Sequence, residues 1–433
     1  MTSDQSETGP QPTLLEEILG DSGRTPMPGA APVVALSAED DPQSVASIEA
    51  LALGRVDLRR RGVDHGSWVT LPPELEPAAR LPRPSHLRKR WREARPFVLR
   101  GAVADELPLR RNELHAGLRR AERVSTASGL EGELRRALGG RGARFEVGSV
   151  ASELYDAERD LARVTARDTQ AGFDDLWVKT GRLSTHPDDA SLRLRFAFGA
   201  EREDDASDDE GRHRATAALG RAVIPELDLV GPRSPLIARA CEAADESLLA
   251  TGAIAYWNAP EGGALFHHDA FSDDDSQGQR GVLFVQLAGR TAWLALSSTD
   301  LARRLAEFLF DEEDPDLVAL AELATDPIAA RAELALPGCG RFGAVVDGWP
   351  AFTAFLADSG HAAVLEPGDA IMLPNQGLGS TALHSVFCAS PRTTYGLSVA
   401  LRRDSRPHKR VRGQKMGGRT LRSGGGHRSD LRS

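Results

Sequence analysis

The sequence places its most specific chemistry in one short segment and one distant residue. GALFHHDAF (263–271) holds His267, His268 and Asp269. In a strand, residues i and i+2 share a face. His267 and Asp269 can therefore offer an imidazole and a carboxylate to one cation, while His268 points away. A third ligand has to come from elsewhere, and His384 in ALHSVF is the candidate that a folded-back barrel would return to the same place. Two imidazoles and one carboxylate cap one face of an octahedral metal and leave three positions open, a set suited to non-haem Fe(II). A lone His-x-Asp is more often a polar turn than a metal site, so the surrounding elements decide its meaning.

Those elements are short strands. From residue 251, GAIAYWNAP reads as a strand and GVLFVQLAGRTAWLAL (281–296) as two strands about a turn at Ala288–Gly289. AAVLEPGDAIMLP (362–374), ALHSVFCAS (382–390) and TTYGLSVAL (393–401) read as three more, after helices at 299–310 and about 315–333. Gly/Pro turns without regular β–helix–β alternation point to a mainly β fold with helices, a double-sheet jelly roll. Upstream, RPFVLRGAV (95–103) suits a buried strand, helical pattern runs to about 138, RFEVGSV (144–150) and DDLWVKTG (174–181) are strand material, and 234–250 returns to helix. Four spans follow: 1–45, expected to be largely disordered apart from the capped helix TLLEEILG; 46–250, helical and mixed; 251–402, the barrel core; and 403–433, a basic tail.

Composition narrows the function classes. The 433 residues are 41 % hydrophobic, enough for a sizeable core, and Cys241, Cys339 and Cys388 form no CxxC pair. No apolar run approaches the length of a membrane span and the N-terminus has no signal-peptide pattern, so the expectation is a cytoplasmic protein with no membrane partner. Net charge is −10, yet the chain from Arg402 onward carries eleven Lys/Arg against two Asp. That tail can reach an acidic partner or RNA, although it has no aromatic residue on which bases would stack.

Four segments in order give a likeness: RPFVLRG (95–101), FHHDAF (266–271), VQLAGRTAWLAL (285–296), and LEPGDAIMLP leading to LHSV (365–386). With them the sequence resembles the JmjC-like, cupin-8-type Fe(II)/2-oxoglutarate oxygenases, most clearly over 95–101 and 252–402. The resemblance implies a double-stranded β-helix with a helical N-terminal region and iron held by His267, Asp269 and His384. It also implies 2-oxoglutarate as cosubstrate and hydroxylation of a protein, peptide or small-molecule substrate. No further residue is assigned a catalytic role.

The sequence also departs from the family. Members hold the far carboxylate of 2-oxoglutarate with Lys or Arg two residues after the strand-turn glycine, where this chain has Thr291 after Gly289 and Arg290. A hydroxyl cannot neutralise a carboxylate, and an unpaired buried charge costs several kcal/mol. The candidates around the cosubstrate are Thr291, Arg290, Tyr256, Asn258 and Arg392, with Arg402 and the more distant Arg195 as further cations. Ala264 stands where a threonine is usual, and Asp273, Asp274 and Asp275 lie in an inserted loop. Two rival readings remain: a silent cupin-like protein acting through its basic tail on RNA or ribosomes, and a cupin metalloenzyme that does not use 2-oxoglutarate.

Overall fold

The computed structural model describes residues 33–35, 84–139, 144–150, 160–183, 189–198, 210–260, 262–270, 279–310 and 315–404. The expected N-terminal helix, the Asp273–Asp275 loop and nearly all of the basic tail lie outside these residues.

Fourteen strands are described: β1 (Val33–Ala35), β2 (Phe97–Leu99), β3 (Phe145–Val150), β4 (Asp160–Asp168), β5 (Phe173–Arg182), β6 (Leu192–Phe198), β7 (Leu248–Trp257), β8 (Gly263–His267), β9 (Gln279–Ala288), β10 (Thr291–Ser297), β11 (Ala362–Leu365), β12 (Ala370–Pro374), β13 (Ala382–Cys388) and β14 (Tyr395–Arg403). They form a ten-stranded sheet in the order β1-β2-β12-β9-β14-β7-β6-β5-β4-β3 and a four-stranded sheet in the order β11-β10-β13-β8. All the pairings are antiparallel. From β7 to β14 the chain repeatedly crosses between the two sheets, and non-consecutive strands become neighbours, an arrangement consistent with a jelly roll.

Side-chain alternation explains the layering. On β10, Trp293 and Ala295 join Ala264, Phe284, Ile371 and Val386 in an apolar layer between the sheets. Ala292, Leu294 and Leu296 point the other way, against the helices inserted between β10 and β11. The β10 sequence TAWLALS is therefore buried on both faces. On the large sheet, Leu194, Val178, Val164 and Trp257 pack outward under helices Arg111–Val124, Ala127–Leu138 and Glu210–Val223.

Two of the motif pieces prove to be one structural clasp. Arg100 Nη1 donates to Asp369 Oδ2 at 2.6 Å, and the Gly101 amide donates to Asp369 Oδ1 at 2.8 Å. The Pro-Gly-Asp turn between β11 and β12 is thereby tied to the end of β2. Gly368 sits at φ +95°, and a Cβ there would come within 2.8 Å of the Ala104 Cα, so the turn requires glycine.

Local departures from the sequence expectation have clear causes. The helix expected over 234–250 stops at Ala244, because Asp245 takes the left-handed conformation (φ 58°) and its amide closes the C-cap. β7 begins just afterwards. The helix expected at about 315–333 is two helices, Pro315–Thr325 and Pro327–Leu334, with Asp326 accepting from the Ile328 and Ala329 amides as the cap of the second. No helix among the described residues is long and apolar enough to cross a membrane.

Candidate metal centre

β8 ends at His267, and β13 runs beside it with His384 directly opposite His267 in register. Asp269 follows two residues beyond the end of β8. The ligand atoms of His267, Asp269 and His384 all lie within 4.8 Å of one another. Nε2 of His384 is 3.7 Å from Asp269 Oδ2, and Nε2 of His267 is 3.9 Å from Asp269 Oδ1. Three donors of this kind, converging from two strands and a strand end, suit a divalent transition metal.

The local bonding prepares the ligands. His267 Nδ1 lies 2.7 Å from the Leu265 carbonyl, so Nδ1–H donates there and leaves the Nε2 lone pair facing Asp269. His384 is buried, its side chain only 5 % exposed, whereas those of His267 and Asp269 are 41 % and 36 % exposed. Burial, reinforced by His267, pushes the His384 imidazole down to about 3, so it is neutral and able to ligate across the neutral pH range. His268 turns toward the inserted helices: its Nδ1 accepts from the Ala270 amide and its Nε2–H reaches the Ala335 carbonyl at 3.0 Å. Beside Asp269 lies a shallow surface depression lined by Gln279, Asn375 and Thr381.

Toward the barrel interior the walls are aromatic. Trp293 stacks on His384 with ring centroids 5.6 Å apart, Phe284 packs on Trp293 at 4.9 Å, and Tyr256 packs on Phe284 at 6.0 Å. Thr291 lies behind Trp293 and is fully buried. Its hydroxyl donates to Gln286 Oε1 at 2.7 Å and accepts from Trp293 Nε1 at 2.8 Å, so its one proton is already committed. Arg290 is turned outward, about half exposed and 4.0 Å from Glu366. Arg392 is likewise exposed. Tyr256 stays on the site side: burial and the charge of Asp269 push its phenol up to about 12, against the smaller pull of its Ser398 hydrogen bond and of Arg193 and Arg195. Asn258, two residues on, is buried, and its Oδ1 has no hydrogen-bond partner among the described residues.

Arg193 is the residue that sequence reasoning passed over. Its signal was weak, a basic residue alternating with leucines in LRLRF. Only the pairing of β6 with β7 puts Arg193 directly opposite Tyr256.

No family model matches the chain, and no curated protein does. Solved structures do match. The crystal structure of the Escherichia coli ribosomal oxygenase YcfD is 17 % identical over 59 % of this chain and 42 % of that one, with a TM-score of 0.19. YcfD from Escherichia coli in complex with cobalt and 2-oxoglutarate is 16 % identical over 64 % of this chain and 52 % of that one, with a TM-score of 0.19. An X-ray structure of E. coli ycfD is 15 % identical over 68 % and 62 %, with a TM-score of 0.21. The chain spans less than two thirds of the length of each. Superposition this poor carries no weight for the function, and the case rests on the geometry of the triad.

Proposed function

We propose that this chain is an Fe(II)/2-oxoglutarate-dependent oxygenase built on a double-stranded β-helix, the JmjC-like class that its sequence resembles. One observation carries the reading: His267, Asp269 and His384 converge with their ligand atoms within 4.8 Å, on the facing ends of β8 and β13. The donor set fits iron, with three coordination positions left for a cosubstrate and O₂. A metal bound there with a 2-oxo acid supplies the oxidising chemistry.

The chain's own residues do the rest. His384 stays neutral at its buried position and presents its imidazole without having to lose a proton. The Leu265 carbonyl fixes the ring of His267. Trp293, Phe284 and Tyr256 exclude water on the interior side. The half-exposed faces of His267 and Asp269 mark where a substrate approaches, and a protein, peptide or small molecule fits that description.

The test is conversion of 2-oxoglutarate to succinate with added Fe(II). Asp269→Ala is expected to abolish turnover while the fold survives, and normal turnover by that variant would refute the ligand assignment. One observation favours a second reading, a cupin metalloenzyme without 2-oxoglutarate: the committed hydroxyl of Thr291 offers no anchor on β10. Substrate-dependent O₂ uptake in the absence of any 2-oxo acid would support it.

A further inference from the structure

β8 carries two sets of side chains with different tasks. It is the outer strand of the small sheet, and among the described residues β13 is its only strand partner. Alternation sends His267, and Asp269 beyond the strand end, toward the metal position, and sends Phe266 and His268 the other way. That way leads to the helical insertion between β10 and β11. Phe266 is buried there among Leu301, Leu305, Leu334, Phe342 and Val345. An outer strand leaves backbone donors and acceptors unpaired, and here the insertion takes them up. The Phe266 amide donates to Asp347 Oδ1 at 3.0 Å, and the Phe266 carbonyl accepts from Cys339 Sγ at 3.8 Å. Burial and the charge of Asp347 push the Cys339 thiol up to about 12, so it keeps the proton it donates.

His268 makes a third hold, between the two metal ligands of this segment. Its Nδ1 accepts from the Ala270 amide at 3.2 Å, which places the proton on Nε2, and Nε2–H donates to the Ala335 carbonyl at 3.0 Å. Ala335 is the C-cap of helix Pro327–Leu334, and the last carbonyls of a helix have no partner within it. The ring therefore joins the strand end to a helix end that needs a donor. The receiving segment is itself fixed. Gly338, Cys339 and Gly340 are all left-handed, with φ of 63°, 60° and 54°, and Glu333 Oε1 accepts from the Arg341 amide at 2.7 Å. A non-glycine residue such as Cys339 holds this conformation only where its surroundings require it.

We propose that the helical insertion clamps the metal strand, with His268 and Asp347 as positioning residues that set how tightly and in what geometry His267 and Asp269 bind metal. The proposal rests on the triad reading and adds two residues that do not touch the metal. The His268 ring is bonded at both nitrogens, so the backbone between the two ligands cannot rotate without breaking one of those bonds. Asp347 fixes the residue just before His267. Ligands held in this way are ordered before the metal arrives, whereas the end of an unclamped outer strand would have to be ordered by the metal itself, at a cost in affinity.

The test is calorimetric titration of the apo full chain with Mn(II), with the visible spectrum of bound Co(II) as the readout of geometry. His268→Phe keeps the bulk and removes both ring bonds. It is expected to lose about 10- to 100-fold in Mn(II) affinity, the usual cost of losing a group that orients a ligand, and to shift the Co(II) bands. His268→Gln, whose amide can donate to the Ala335 carbonyl, should recover most of that affinity; no recovery would overturn the positioning role of His268. Asp347→Ala should lose about tenfold, and Asp347→Asn, which keeps an oxygen for the Phe266 amide, should bind as wild type does. Urea denaturation of each apo variant runs alongside. A merely structural role would lower apo stability and leave the metal affinity and the Co(II) spectrum of the folded protein unchanged, and that result in His268→Phe and Asp347→Ala would overturn the proposal. Where His268→Phe fails to fold, Asp347→Ala against Asp347→Asn makes the same decision. Failure of the triad reading looks different: wild type itself would bind no metal, or would bind it equally after His384→Ala, and the proposal would fall with it.

Discussion

The two faces of the ten-stranded sheet both bury titratable side chains, and among the described residues only one of them looks toward a cluster of three metal-ligating groups. On the face of Tyr256, which feels the charge of Asp269, the ligand atoms of His267, Asp269 and His384 lie within 4.8 Å of one another, with His267 and Asp269 partly open to solvent. On the opposite face, Tyr395 and Glu226 are fully buried, with Arg120 beside them at 3.7 Å, beneath helix Arg111–Val124 and the turn Pro225–Val230. Trp257 stacks on Tyr395 at 5.5 Å and donates to the Gly117 carbonyl, which seals the cluster. Burial pushes the Glu226 carboxyl up despite Arg120, and burial and Glu226 push the Tyr395 phenol well up. Perturbed ionisation is thus common to both faces. What distinguishes the open face is the convergence of three metal-ligating side chains, two of them partly exposed.

The sharpest way to break this comparison is to damage the closed face and look for an effect on the open one. Arg120→Met leaves buried Glu226 without its cationic partner, while Glu133 keeps Arg123 and Arg136, and is expected to cost about 3–5 kcal/mol in urea denaturation. The surviving native protein should bind metal as wild type does; a parallel loss of metal affinity would mean that the two faces are one functional unit.

Thr291→Val is a milder test. It removes the donor to Gln286 and the acceptor for Trp293 Nε1, and should cost about 1–3 kcal/mol. The affinity of the metal-loaded protein for 2-oxoglutarate should be unchanged, because that hydroxyl has no proton to spare. A weakened affinity, measured by the same calorimetry, would return Thr291 to the cosubstrate site.

Glu226→Gln should have the smallest effect, a stabilisation of about 1 kcal/mol that grows with pH. The sign follows from the raised carboxyl: the folded state holds that proton more tightly than the unfolded chain does, so its stabilising contribution is full below the unfolded value and is lost as pH rises through the folded one. Denaturation at pH 5 and pH 8 checks it, and a variant less stable than wild type at pH 8 would show that the carboxylate is well satisfied.

The proximity of His267, Asp269 and His384 was legible because most of its information is local. His267 and Asp269 are two residues apart at the end of β8, and the antiparallel return strand β13 sets His384 opposite His267. The clasp between Arg100 and Asp369 was visible as two motif fragments but not as one contact, since nothing in either fragment names the other. Arg193 was hidden because its place depends on which strand β6 joins, and that choice is made by the packing of Leu194 and Phe196 under the helices.

The most direct measurement is a Co(II) titration of the apo chain followed by visible absorption, with His384→Ala alongside. One equivalent should bind to wild type with the spectrum of a mixed nitrogen and oxygen site, and the variant should lose at least about 100-fold in affinity while keeping a cooperative melting transition. Equal affinity and an unchanged spectrum in His384→Ala would contradict the triad and everything built on it.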